Sequence, residues 1–314
     1  MKRGQSGINC LLAIDKPVGM SSHDVVNHVR RALGEKRVGH AGTLDPLASG
    51  VLVVGVGQGT RLMGLLTADT KSYVARIAFG TQTATDDAEG EVVLSAEPPA
   101  DVLSREFAAG VVSGFEGEQD QVPPSFSAIS VGGVRAYDRA RKGQEVELKS
   151  RRVSILSAVL LDVVADGPDG QPCWDCAFTV SKGTYVRSIA RDLGASLGSA
   201  AHLVELRRTA SGDIGLADCV ALDELERRGA EALAECALDP VAKLGLPEHE
   251  LTVEELADVR CGRRIACTDA DAGLAEGGRA CLTFGNALVG IWEREGNRLR
   301  CQVNFPSGVT GVAR

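Results

Sequence analysis

One carboxylate stands out for its setting. In GHAGTLDPLASGVLVVGVGQGTRL, residues 39–62, Asp45 sits between Leu44 and Pro46 in a loop of glycines and small residues. The chain then runs straight into an apolar stretch, 51–56. A carboxylate held by turn residues beside a buried strand suits nucleophilic attack or general-base work. It also suits a plain structural role, because Asp before Pro commonly starts a turn. His40 lies five residues earlier, which is not the i, i+4 spacing of a helical metal pair, and fits a hydrogen-bonding partner. The sequence shows no Ser/His/Asp set, and no second carboxylate is assignable as a glycosidase partner.

Two other patterns carry less chemistry. Cys173 and Cys176 form a C-x-x-C inside PCWDCAFTV. In a strand, residues three apart point to opposite faces, and no second C-x-x-C completes a zinc site. The nine cysteines are scattered through the chain and read as reduced core residues. Gly55, Gly57 and Gly59 are spaced G-x-G-x-G without the G-K-[ST] of a phosphate loop, so they read as turn and packing residues.

The elements that must position Asp45 follow from periodicity. NCLLAIDKPVG predicts a short buried strand ending in a Pro-Gly turn, and SHDVVNHVRRALG a helix capped by Ser22 and stopped by Gly34. VLVVGV and KSYVARIAFG predict strands. A helix near 101–111, a strand near 126–131 and a short basic helix, RAYDRARKG, are expected next. RRVSILSAVLLDVV and CWDCAFTV predict strands joined by the turn ADGPDGQP. SKGTYVRSIARDLGASLG predicts a helix after a glycine turn, and AHLVELRRTASGDI a strand. A helix over 221–236 leads to a loop holding Pro240 and Pro247. Short strands with glycine turns are expected from LTVEELADVRCGRRI onward. These elements predict an α+β fold, a mixed but largely antiparallel sheet flanked by helices, with a small β domain appended. The domain boundary falls near 248.

The 314 residues are 44% hydrophobic, which supports a packed core, and only 4% aromatic. No run of 18 apolar residues and no secretory signal is present, so a cytoplasmic protein without membrane attachment is expected. The net charge of −8 is unevenly spread. Residues 126–152 hold seven bases against three acids, and 181–208 five against two, whereas 213–258 hold thirteen acids against three bases. Such a chain still presents basic faces to a polyanion.

The segment 39–62 resembles the catalytic signature of the TruB family of pseudouridine synthases. So do LLAIDKPVGMSSHDVV, KSYVARIAFGTQTATDDAEG, QVPPSFSAISVGGVRAYDRARKG and SKGTYVRSIARDLGASLGSAAHLVELRR, in the same order. Together they span roughly residues 8–210. The resemblance implies isomerisation of uridine to pseudouridine in RNA, without cofactor or metal. In bacterial members the target is the T-loop uridine of tRNA conventionally numbered 55. It places Asp45 as the catalytic aspartate and His40 as the histidine that helps open the T loop. Tyr73 is placed to stack on the flipped uracil, and by position it is the candidate base for the C5 proton. Tyr185 becomes a pocket tyrosine, Arg187 the partner of the aspartate, and Leu206 a wall of the base pocket. Lys16 becomes a motif lysine with a structural role. Ala84 departs from the pattern, standing where some relatives carry an acid. Residues 1–248 are then the catalytic domain and 249–314 a PUA-like RNA-binding domain. A monomer acting on the tRNA T-arm, with no obligate protein partner, is expected. A guide-RNA-dependent synthase and a non-catalytic RNA-binding or tRNA-folding protein are the alternatives.

Overall fold

The computed structural model describes residues 6–66, 70–126 and 148–313, together with the backbone of Ser130–Val131 and Val134–Arg135. The basic helix expected over RAYDRARKG lies outside the described residues. Two compact units are present. One comprises Met1–Asp45, Gly50–Thr67 and Asp213–Arg314; the other comprises Pro46–Ser49 and Ala68–Gly212.

In the first unit the Cys10–Lys16 strand is central. It pairs antiparallel with Ala48–Val56, from Cys10↔Val56 to Lys16↔Gly50, and parallel with Cys219–Ala221. Val38–Ala41 lies antiparallel on the far side of Ala48–Val56, with His40 opposite Val54. Alternate residues of the central strands enter two cores. Leu12, Ile14, Leu52 and Val54 pack under the Ser22–Ala32 helix with Val25, Val26 and Val29. Leu11, Ala13, Val51 and Val53 pack with Cys281, Leu288, Ile291 and Phe305 of the C-terminal sheet. Burial on both faces explains the unbroken apolar runs LLAI and VLVV. The C-terminal sheet has five strands ordered Glu248–Glu250, Arg279–Phe284, Ala287–Glu295, Arg298–Thr310 and Ile265–Ala266.

The second unit is built on antiparallel strands in the order Ala201–Ser211, Thr70–Phe79, Cys173–Ser181, Arg151–Val164 and Gly117–Gln121. Tyr73 pairs with Phe178 on one side and Arg208 on the other, and Ala75 pairs with Leu206. Cross-strand partners share a face, so Tyr73, Leu206, Arg208 and Phe178 look the same way. The opposite face is polar at its centre. There Arg76 is opposite both Asp175 and Glu205, and it bonds the two carboxylates at 2.7 and 3.1 Å. The sheet and helix mixture matches the α+β expectation.

Several local expectations are corrected. Ser21, not Ser22, caps the first helix: its hydroxyl accepts from Asp24 N, and the Asp24 carboxylate accepts from Ser21 N. The helix expected over 221–236 is interrupted, because Gly229 adopts φ +57° and ends Leu222–Arg228 before Leu233–Cys236 forms. Pro240 opens a short helix, Pro240–Leu244, where its missing N–H costs nothing. Residues after 251 begin with a helix, Val253–Arg260, rather than a strand. A capping box between Thr252 and Glu255 starts it. The strand read through AHLVELRRTASGDI ends at Ser211, and Gly212 at φ +56° turns the chain into a separate Ile214–Gly215 strand.

Candidate functional site

The loop that presents Asp45 is fixed from both ends. Gly42, at φ +73°, lets the chain leave the Val38–Ala41 strand. Leu44 is buried and fills the core beneath the loop. Its backbone is gripped twice by one side chain: Leu44 N donates to Ser22 Oγ at 2.8 Å, and Ser22 Oγ donates to Leu44 O at 3.0 Å. Ser22 is therefore free of capping duty and acts as a pin. Asp45, the next residue, is half-buried. The strand after the loop is held in place by close packing. A Cβ on Gly59 would lie 2.2 Å from Cys10 O, and one on Gly57, at φ +57°, 2.2 Å from Ile8 O. These glycines are thus turn and packing positions. Lys16 is fully buried, and its ammonium donates to Pro17 O at 2.8 Å and Met20 O at 2.6 Å, bracing the turn before the first helix. His40 is half-buried within its strand.

Tyr73, Tyr185, Arg187 and Leu206 all belong to the second unit. Tyr73 is 7% exposed, and Leu206 is half-buried two residues along the adjacent strand. Tyr185 immediately precedes the Val186–Ser196 helix. Its backbone is bonded in both directions by Gln121: Tyr185 N donates to Oε1 at 2.8 Å, and Nε2 donates to Tyr185 O at 3.1 Å. The Arg151 guanidinium lies over the Tyr185 ring, 4.6 Å from its centroid, and also bonds Gly183 O.

Arg187 is only 4% exposed, which is unusual for a cation and demands partners. It donates to Thr85 O at 2.9 Å and Phe126 O at 3.0 Å, and its Nη1 lies 3.4 Å from Asp87 Oδ2. One helical turn later, Arg191 bonds Asp86 Oδ2 at 3.0 Å and Val122 O at 2.8 Å. Burial pushes the Asp86 carboxyl above its usual range, with Arg191 opposing. Asp86, Asp87, Gln121, Arg151 and Arg191 were not singled out from the sequence as site residues, and Ser22 was read only as a helix cap. The only local signal was the acid pair in TATDDAEG, which does not say what it faces.

The cysteines are free thiols, but not all are core residues as expected: Cys10, Cys173, Cys176 and Cys281 are buried, whereas Cys261 is exposed. Cys173 and Cys176 are fully buried in their strand, and burial raises their thiols to about 11 and about 12. Among the described residues, no group of three or more His, Cys, Asp or Glu is placed to hold a metal ion. No helix among them is long and apolar enough to cross a membrane.

Comparisons with known proteins bear on this arrangement. Residues 30–186 match the family described as TruB family pseudouridylate synthase (N terminal domain), and 187–243 match the tRNA pseudouridylate synthase B C-terminal domain. The chain is 44% identical over 288 residues to tRNA pseudouridine synthase B of Mycobacteroides abscessus, covering 92% of this chain and 93% of that protein. It is 42% identical to the protein of the same name from Nocardia farcinica, covering 92% and 90%. Among solved structures, the fold resembles a chain in a Cbf5-Nop10-Gar1 complex at TM-score 0.65 and 23% identity, covering 95% of this chain and 85% of that one. A chain in an H/ACA RNP bound to a substrate RNA gives TM-score 0.63 at 22% identity, covering 95% and 85%. At these identities the two structures speak to fold alone. The sequence matches span nearly the whole chain: this protein is an isomerase that belongs to the TruB family of pseudouridylate synthases.

Proposed function

We propose that the protein converts uridine to pseudouridine in tRNA, at the T-loop position numbered 55, with Asp45 as the nucleophile. The observation that carries this reading is the near full-length likeness to relatives named tRNA pseudouridine synthase B. A T-loop uridine is stacked and must be flipped out, at a cost of a few kcal/mol. Tyr73 offers a stacking face, worth about 1–3 kcal/mol per base, and Leu206 on the neighbouring strand walls the base. His40 fills the space the base leaves, and Tyr185 completes the pocket. Arg187 pairs with the Asp45 carboxylate, keeping it ionised and oriented.

The reaction breaks N1–C1′, turns the base and forms C5–C1′. The C5 proton passes to a base, assigned here to Tyr73, and N1 ends protonated. Attack at C6, attack at C1′ and removal of a ribose proton all begin from the ionised carboxylate. The net change is an isomerisation with no electron transfer, so the residues named suffice without a cofactor. The protein acts as a monomer on the T-arm. Residues 1–248 do the chemistry, and 249–314 form a PUA-like module that contacts RNA.

Asp45→Asn tests the central assignment, because it keeps shape but removes the charge. Single-turnover conversion of an unmodified tRNA transcript is expected to fall by at least about 10³-fold, with affinity for the transcript unchanged. Near-normal conversion by the folded variant would overturn the assignment. The wild-type protein should convert both this bare transcript and an isolated T-arm hairpin. A requirement for added guide RNA would favour a guided enzyme instead.

A further inference from the structure

Asp86 is a non-glycine residue in the left-handed region, at φ +59°. Its side chain is 8% exposed. Backbone strain at a buried acid persists only where the surroundings over-determine it. Those surroundings are specific. Asp86 and Asp87 are adjacent in one turn, and Arg187 and Arg191 are one helical turn apart on one helix. The two acids face the two cations as parallel pairs, Asp87 to Arg187 at 3.4 Å and Asp86 to Arg191 at 3.0 Å. Each arginine also takes a carbonyl from the same downstream stretch, Phe126 O for Arg187 and Val122 O for Arg191. Ser188 Oγ donates to the Val122 carbonyl as well, at 2.9 Å. Gln82 Nε2 donates to the other Asp86 oxygen at 3.0 Å.

The turn is also tied to the strand that bears Leu206. Leu203 N donates to Asp86 O at 3.1 Å, and Ala88 N donates to Leu203 O at 2.9 Å. Asp87 is tied into the same turn: Thr85 Oγ1 donates to its carboxylate at 2.5 Å, Glu89 N does so at 3.1 Å, and Thr83 Oγ1 donates to Asp87 O at 2.6 Å, so the two acids move with one backbone.

We infer that Asp86 and Arg191 are positioning residues for the isomerisation: their ion pair fixes the turn and the 122–126 backbone between which the Arg187 guanidinium is aimed. This rests on the proposed role of Arg187 at the Asp45 carboxylate. Neither Asp86 nor Arg191 is assigned contact with the substrate. With the pair broken, Asp86 loses its only direct ion pair among the described residues, and the Gln82 bond and the more distant Arg187 charge hold the left-handed turn less firmly. The turn relaxes, and the Asp87 carboxylate shifts under Arg187. A misplacement on the order of 1 Å in an aiming group costs about 10²-fold in rate.

The test uses the full chain and single-turnover conversion of a tRNA transcript, with affinity and Tm measured on the same preparations. Asp86→Asn tolerates the left-handed conformation but removes the charge, and Arg191→Gln removes the other partner. Each is expected to slow conversion by roughly 10- to 100-fold with affinity within about threefold. The double variant should be no slower than the worse single one, because one interaction is lost either way. Arg191→Lys restores charge and is expected to recover part of the rate, which a merely structural loss would not track.

Arg187→Lys, which leaves a cation beside Asp87, separates the two layers. In that background Asp86→Asn should add little further slowing. Wild-type rates for Asp86→Asn and Arg191→Gln, with Arg187→Lys slow, would overturn this inference and leave the proposed function standing. Full additivity of Asp86→Asn with Arg187→Lys would overturn it too, because the pair would then act elsewhere. A wild-type rate for Arg187→Lys would remove the role given to Arg187, and this inference with it.

Discussion

The Asp45 loop and the Arg187 cluster hold their charged groups by opposite means. Asp45 sits on an apolar foundation: Leu44 buried beneath it, a serine pin, and glycines that let backbone meet backbone. Arg187 sits in a polar lattice of two acids, two arginines and three backbone carbonyls, all drawn from elements far apart in sequence. A loop set by packing and neutral hydrogen bonds loses stability in proportion to the atoms removed. A buried ionic lattice fails unevenly, because deleting one member strands another charge. The two regions should therefore answer mutation differently.

The largest stability effect is expected in the ionic region. Arg187→Met leaves Asp87 buried beside no guanidinium of its own, and should cost about 3–5 kcal/mol. Urea unfolding of the variant against wild type measures it. A loss under about 1 kcal/mol would mean that Asp87 relaxes to water and that the lattice is not closed. Next comes the packed region. Ser22→Ala removes both bonds to Leu44 and should cost about 1–3 kcal/mol. It should also slow single-turnover conversion while transcript affinity holds, since only the pin under Asp45 is lost. Unchanged conversion at reduced Tm would show that Leu44 packing alone orients the loop. Least affected should be the half-buried charges on the polar face of the second unit's sheet. Arg76→Gln breaks the pairs to Asp175 and Glu205 on the polar face of the same sheet, yet should cost no more than about 1 kcal/mol and leave conversion intact. A larger effect there would erase the distinction between fully buried and half-buried charge on which the comparison depends.

Much of the fold was readable. The strands Cys10–Lys16, Thr70–Phe79, Arg151–Val164 and Cys173–Ser181 fall where apolar runs or alternation predict them. The helices Ser22–Ala32 and Val186–Ser196 follow their helical spacing. The failures were local contests. Ser21 and Ser22 both qualify as caps, and Asp24, three residues after Ser21, decides between them. Thr252-x-x-Glu255 is a capping box, and it starts a helix where short strands with glycine turns were expected. Gly229 falls inside the helix expected over 221–236, and its positive φ ends the first part of it. The polar strand Gly117–Gln121 had no alternation to announce it and exists because the Arg151–Val164 strand offers it an edge.

The turn that carries Asp45 was legible in the sequence because neighbours make it, while the Ser22 pin beneath it, 22 residues away, emerged only in three dimensions. Glycine, proline and leucine act over three or four residues, and the apolar strand that follows is continuous with them. The sequence also carried the ordered motifs by which the family is recognised. Only the tertiary structure decided what surrounds Arg187. Asp86 and Asp87 come from a hairpin turn about one hundred residues before the helix that bears their arginines. Nothing in TATDDAEG or YVRSIARD names the other. Their pairing follows from the sheet register that stacks Leu203 beside that turn, and from the cost of burying charge, which each acid offsets with a guanidinium at ion-pair distance.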